Sequence, residues 1–435
     1  MQFRSTLSNE PQVSFKDAVL NCLPPDGGLY IPSKVTDLRQ FFLYMDEGTS
    51  YPELVAAVTP TLFIGELNPF SAARVAESAF DFEPEFRQLD ENLSVLNLYN
   101  GPTGTFKDFG AAFHAAVLEE LFKNNRRAIV LSAARADNGA CLGRAFYGRQ
   151  GLTSIMLFPT GPIRGLDPAF FVPNGGNVVP IQIKGTLDDC QRLLRDILND
   201  RPFAERYNIM TANAINPGRL LPQAFYYLYA FIKVKKLLSG DLFFSVPSGN
   251  FGNLISGLYA WRSGLPVNGF IAAMNANNAF GDFIRGGEFK PRPVKSTNSP
   301  AMDISIPSNY ERLKSFYLES PAVMRNMVFP ASVDDNSTLE AMKTAWKRYS
   351  VLLDPHTAVA FSAADDFIKS GKLSDGHIVI LATGHPAREA NMVKTATGQA
   401  LPLPEKLSLL KRETAPIAVI EPRLGALEGV IASCL

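Results

Sequence analysis

Short apolar runs recur along this chain, and most are followed by a stretch whose apolar residues repeat at helical spacing. The runs are RAIVLSA (127–133), TSIMLF (153–158), NVVPIQI (177–183), LFFSV (242–246), GFIAAM (269–274) and HIVILA (377–382). Each is too short for a helix and too uniformly apolar for a strand wetted on one face. Strands buried on both faces and separated by helices form parallel or mostly parallel sheets covered by helices, so the fold class expected is α/β. Pro180 makes its strand an edge or interrupted one. Helices are expected at about 140–148, from Thr186 to about 198, and as one long aromatic helix from Pro217 to about 238. Others are expected at about 254–262, 308–318, 338–349 (opened by Ser337 with Glu340) and 357–368. The segment 281–306 reads as a long connection or flap. Residues 1–90 show helical patches without strand rhythm and read as a separate cap.

At 435 residues the chain has length for two or three domains. Its 42 basic and 42 acidic residues cancel, so no charge excess argues for a nucleic-acid partner. No apolar run approaches the roughly 20 residues needed to span a bilayer, and the N-terminus lacks the apolar core of a secretory peptide. Cys22, Cys141, Cys190 and Cys434 show no Cys-x-x-Cys spacing, so neither a disulfide framework nor a zinc site is expected. His114, His356, His377 and His385 are equally scattered, and no metal is expected. A cytoplasmic setting fits this cysteine usage.

Three strand-to-helix turns can carry chemistry. In Tyr99-Asn100-Gly101-Pro102-Thr103-Gly104-Thr105-Phe106-Lys107-Asp108 a glycine-proline-threonine turn sets a lysine at the start of an apolar helix. Burial and a helix N-terminus disfavour an ammonium there, and a neutral amine is what Schiff-base chemistry requires. In Val246-Pro247-Ser248-Gly249-Asn250-Phe251-Gly252-Asn253 small residues at a helix start let backbone N–H groups converge on a phosphate monoester. The turn has neither the lysine of a P-loop nor the spacing of a dinucleotide site. The third is Ala382-Thr383-Gly384-His385-Pro386, where a hydroxyl stands at the carboxyl end of a buried strand. His385 is an acid or base there, or a structural turn residue. Cys141 and Cys190 read as core residues, and Asp188 and Asp189 as helix-start charges.

Taken in order, these turns and their neighbours resemble the threonine synthase family, fold-type II pyridoxal-phosphate enzymes related to tryptophan synthase β. The matching stretches are Asp26-Gly27-Gly28-Leu29-Tyr30-Ile31-Pro32, Gly101-Pro102-Thr103 through Lys107-Asp108-Phe109-Gly110, and Gly185-Thr186 through Cys190-Gln191. Ala212-Asn213-Ala214-Ile215-Asn216 with Arg219-Leu220-Leu221-Pro222-Gln223 follows, then Ser248 to Asn253, Pro307-Ser308-Asn309, Asp354-Pro355-His356 and Thr383 to Ala387. The resemblance implies two open twisted α/β domains with an N-terminal helical cap: the cap over 1–90, a smaller mobile domain over 91–215 and a larger coenzyme domain over 216–435. It implies that Lys107 carries pyridoxal 5′-phosphate and acts as general base. Ser248, Gly249, Asn250, Phe251, Gly252 and Asn253 would hold the coenzyme phosphate, and Thr383 would meet the pyridine nitrogen. The implied reaction converts O-phospho-L-homoserine and water to L-threonine and phosphate, in a monomer or homodimer whose partner is a small phosphorylated amino acid.

On the substrate side the chain departs from the family. The "TSGDTG" loop reads here as Ala134-Arg135-Ala136-Asp137-Asn138-Gly139, and "KxSxxQEKQ" reads as Pro162-Ile163-Arg164-Gly165-Leu166-Asp167-Pro168-Ala169-Phe170. Ala136 stands where a glycine would allow positive φ. Asn100 and Gly104 stand for His and Leu beside the lysine, and Ala214 for a serine. Expected substrate contacts are Arg135, Asp137, Asn138, Gly139, Arg164 and Asn213, the two arginines being suited to carboxylate or phosphate. Two readings stay open: a threonine synthase, or a coenzyme-binding paralogue acting as a phospho-amino-acid lyase or as a non-catalytic binding protein.

Overall fold

The computed structural model describes residues 1–435 apart from 10, 124–126, 134–135, 161–175, 286–287, 374, 409–415 and 434–435, and apart from the side chains of 136 and 137. In chain order the strands begin with β1 (Gln2–Ser5), β2 (Val13–Ser14) and β3 (Tyr30–Lys34). Then come β4 (Glu85–Asp90), β5 (Leu93–Asn97), β6 (Ala128–Ala133), β7 (Leu152–Pro159), β8 (Val178–Ile183) and β9 (Ile209–Met210). The last are β10 (Asp241–Pro247), β11 (Gly269–Met274), β12 (Val328–Ser332), β13 (Gly376–Ala382) and β14 (Ala418–Ile420). They form three sheets among the described residues, with orders β2-β1-β3, β14-β8-β7-β6-β9 and β12-β11-β10-β13-β5-β4. Both larger sheets are parallel except for β4, which runs antiparallel along the edge of β5. The α/β class expected from buried apolar runs is the one observed.

Several local readings change. The N-terminal segment carries β1–β3 besides its helices, because strands of two to five residues are too short to show alternation. The expected helix from Pro217 is instead a short turn at Pro217–Leu220, a tight turn at Leu221–Gln223 and a helix at Ala224–Val234; Pro222 breaks the first register. Asp334, not Ser337, caps the helix Asp335–Tyr349, its side chain accepting from the Ser337 N–H at 2.8 Å. Pro180 lies within a strand paired on both sides. Its carbonyl accepts from the Ile417 N–H, so its missing donor faces the side where β14 has not yet begun. Thr186 and Asp189 do make the reciprocal cap expected of Leu187–Asn199.

The cap and the lysine helix (Lys107–Phe122) share one aromatic cluster. The buried Tyr51 ring stands edge-on to Phe80, Phe109 and Tyr229 at 4.9, 5.2 and 5.5 Å. The turn at Pro217–Leu220 is wedged between the lysine helix and the helix Gly252–Arg262. A Cβ on Gly110 would lie 2.4 Å from the Arg219 carbonyl, and Ser256 Oγ donates to the Leu220 carbonyl at 2.8 Å. Helix against helix, this wedge fixes how the first two chemical turns face each other. Among the described residues no helix is long and apolar enough to cross a membrane.

Candidate active site

The three turns leave the carboxyl ends of three neighbouring strands. β13 lies between β10 and β5, paired in parallel with each. Strands lie about 4.8 Å apart, so the three strand ends together span about 10 Å, the scale of one small aromatic phosphate. Ligands of open α/β sheets bind outside this end of the strands.

Lys107 is the first residue of its helix, half-buried, with Nζ 5.6 Å from the Phe106 ring centroid. The turn before it is closed by buried Asp108, which accepts from the Thr103 N–H at 2.9 Å and the Thr103 hydroxyl at 2.6 Å. Burial pushes the Asp108 carboxyl above its ordinary range, against the hydrogen bonds from Thr103. Gly101 is required here, because a Cβ would lie 2.6 Å from the Asp108 side chain. Arg388 holds the same turn from outside, donating to the Thr103 carbonyl at 2.7 Å.

The lysine turn is stitched to the Thr383 turn by backbone bonds. The Phe106 N–H donates to the Thr383 carbonyl at 3.0 Å, and the His385 N–H to the Gly104 carbonyl at 2.9 Å. Behind Thr383 stands a buried relay. Its N–H donates to Thr357 Oγ1 at 3.1 Å, and the Thr357 hydroxyl donates to Asp354 Oδ1. Asp354 caps the helix Pro355–Lys369 and binds His356 Nδ1 at 2.7 Å. His356 Nε2 accepts the Ala301 N–H at 3.1 Å, which leaves Nδ1 to donate to Asp354. His385 is a turn residue: Nδ1 accepts from the Ala387 N–H, the ring lies edge-on to Tyr99, and burial lowers its pKa to about 4.

In the second turn Phe251 adopts φ +58° with its ring buried against Phe280, which swings the chain so that Gly252 opens the helix Gly252–Arg262. The Ser248 N–H is used by the Ala273 carbonyl, and Asn250 is engaged by Ser308 through three hydrogen bonds. Among the described residues no acceptor meets the N–H groups of Gly249, Asn250, Phe251, Gly252 or Asn253. The buried Asn253 Nδ2 likewise has no partner, while its Oδ1 takes the hydroxyls of Tyr226 and Tyr227 at 2.7 and 2.8 Å. Gly249 touches Met302 so closely that a Cβ would lie 2.7 Å from its Cα. Converging unused donors at a helix start fit a phosphate, and Lys107 and Thr383 across the strand ends fit the ring of pyridoxal phosphate.

Of the residues expected to meet substrate, Asp137, Asn138 and Gly139 fall in the helix Ala136–Phe146. Asn138 Oδ1 accepts from buried Arg219 at 3.1 Å. Asn213 Nδ2 donates to the Ala133 carbonyl at 3.2 Å, and its buried Oδ1 has no donor among the described residues. Arg135 and Arg164 lie outside the described residues, as does the Asp137 side chain. Sequence reasoning gave no role to Asp354, Thr357, Arg219, Asn309 or Arg312. The Asp-Pro helix start before Thr357 was the available signal for the first two.

Residues 83–384 match the family described as "Pyridoxal-phosphate dependent enzyme", 2–80 "Threonine synthase N terminus" and 357–431 "Threonine synthase, C-terminal". A threonine synthase from Serratia marcescens is 34% identical over 412 residues, covering 94% of each chain. The crystal structure of threonine synthase from Escherichia coli superposes with a TM-score of 0.86 at 29% identity, covering 100% of both chains. A PLP-bound threonine synthase from Brucella melitensis gives 0.86 and 29%, covering 100% of this chain and 99% of that one.

Proposed function

The chain belongs to the threonine synthase family of pyridoxal-phosphate-dependent enzymes, and from that premise we propose that it converts O-phospho-L-homoserine and water to L-threonine and phosphate. The arrangement that carries the proposal is the convergence of the Lys107, Thr383 and Ser248–Asn253 turns on the ends of β5, β13 and β10. When bound, the coenzyme supplies an aldehyde for an amine and a ring that accepts the electron pair left when a carbon–hydrogen bond breaks. Lys107 Nζ attaches it and then moves the proton taken from the substrate Cα. The Gly249–Asn253 amides and the helix start hold the phosphate. Thr383 offers the ring nitrogen a neutral hydroxyl, and Thr357 with Asp354 keeps that residue in place. Asn138, Gly139 and Asn213 face the substrate, with Asp137, Arg135 and Arg164 as further contacts.

The division into a cap over 1–90, a smaller mobile part over 91–215 and a larger part over 216–435 is carried with one amendment. Since β4 and β5 pair with β13, the smaller sheet begins after the lysine turn. A cytoplasmic monomer or homodimer completes the reading.

One observation favours a second reading. Asn138 Oδ1 and Asn213 Nδ2 are both spent on protein partners, as in a substrate side no longer built for turnover. The test loads the protein with coenzyme, reduces it with borohydride and maps the adduct, then assays phosphate and threonine from O-phosphohomoserine. An adduct on Lys107 with both products formed is expected, and Lys107→Ala abolishes both. An adduct without products supports the non-catalytic paralogue. No adduct, or one on another lysine, sinks the proposal.

A further inference from the structure

Asn309 occupies the N-cap position of the helix Tyr310–Glu319, yet its side chain makes no capping bond. It is fully buried, and its two amide atoms have different fates. Oδ1 accepts from Arg312 Nη1 at 2.7 Å, and because a guanidinium only donates, the oxygen must be on that side. Nδ2 therefore points the other way and has no acceptor among the described residues. It points at the phosphate turn: a Cβ placed on Gly252 would lie 3.5 Å from it. The segment is pinned there independently, since Asn250 Oδ1 accepts from the Ser308 N–H at 2.6 Å.

Behind Asn309 stands Arg312, also fully buried. Its other contacts are the carbonyls of Tyr30, Ala214 and Ile215, and among the described residues no carboxylate pairs with it. A buried cation surrounded only by neutral acceptors is stabilised by an anion placed nearby. Burial lowers its pKa to about 10, against the weaker raising influence of Tyr259 and Glu311.

We propose that Asn309 is a further coenzyme-phosphate contact, donating from Nδ2 into the cradle at Gly252, and that Arg312 is the positioning residue that aims it. This rests on the reading of that cradle as the pyridoxal-phosphate site. Arg312 joins β3 of the N-terminal segment, the 214–215 connection and the phosphate site through one side chain.

The test measures dissociation constants of pyridoxal phosphate and of pyridoxal, which lacks the phosphate, by titration of the apoprotein, with circular dichroism as a check on folding. Asn309→Ala removes the donor. Asn309→Asp keeps an oxygen for Arg312 but turns a second, anionic oxygen toward the phosphate, so it also covers the case in which the alanine variant fails to fold. Pyridoxal-phosphate affinity is expected to fall about tenfold or more in Asn309→Ala and further in Asn309→Asp, with pyridoxal affinity within about twofold of the parent. Unchanged pyridoxal-phosphate affinity in Asn309→Asp overturns the proposal, as does equal loss for both ligands. If the parent protein is labelled on Lys107 and either result is found, only this inference falls. If the parent is not labelled on Lys107, the proposed function falls and takes this inference with it.

Discussion

Thr357→Val tests whether the relay behind Thr383 holds that residue. Valine preserves the shape of threonine, so no cavity opens, and the loss is confined to one hydroxyl. In the parent, Thr357 Oγ1 accepts the Thr383 N–H at 3.1 Å and donates to Asp354 Oδ1, all three residues being buried. The variant leaves the Thr383 N–H without an acceptor, which costs about 1–3 kcal/mol, and removes a hydrogen bond to a carboxylate worth about 1.5–3 kcal/mol. Asp354 keeps the Thr357 N–H, the His356 N–H and His356 Nδ1, so helix capping survives. The loss therefore concentrates at the Thr383 turn. Hydrogen exchange read by mass spectrometry on peptides covering 377–385 reports that opening directly. A loss of about 1–3 kcal/mol accelerates exchange there by about 5- to 150-fold, while peptides of β6 and β7 are unchanged. Thr357→Ser restores the hydroxyl and is expected to return exchange close to the parent rate. Acceleration below about twofold in the valine variant, or equal acceleration in both variants, would refute the relay.

Two further outcomes follow from a buried histidine and from the close approach of Gly249 to Met302. His114 is fully buried, and burial followed by the nearby Arg219 lowers its pKa from 6.5 to about 3. Between those values the unfolded chain binds the extra proton, so this residue's contribution to stability is intact above pH 6.5 and is lost as pH falls toward 3. His114→Leu is expected to flatten the acid side of the stability profile, read as urea midpoints at neutral and mildly acid pH; an unaltered slope contradicts this. Gly249→Ala must push the phosphate turn off the Met302 backbone, 2.7 Å from the new Cβ. Coenzyme affinity by equilibrium titration should drop about tenfold or more, and parent-like binding would show that the turn has room to spare.

Legibility in the sequence followed the range of the forces involved. The Lys107, Ser248 and Thr383 turns could be read because each is local: a buried apolar strand, then small residues, then a helix. Thr186 with Asp189 was legible for the same reason. At Asp335–Tyr349 two local signals competed, and Asp334 three residues before Ser337 took the cap. β5 was given no range because LSVLN is only five residues long and its apolar residues are interrupted by Ser94 and closed by Asn97, although all five positions are buried once β13 lies beside them. The order of the strands, which brings the three turns together, is set by long-range pairing that no window of sequence contains. Arg312 was invisible for the same reason: a lone arginine in an amphipathic helix reads as surface until acceptors from Tyr30, Ala214 and Ile215 close around it.

During synthesis the β4–β5 hairpin leaves the ribosome long before β13, the strand it must join. The nascent chain thus carries one open edge of a central strand while more than half of the polypeptide is still to be made. Early polypeptide can pair β6 to β9, lacking only the edge strand β14, but the lysine turn must wait for β13 to give it a neighbour. Competence to capture the coenzyme therefore arrives only after β13 has been made, and a product truncated before it keeps its lysine without a chamber to put it in.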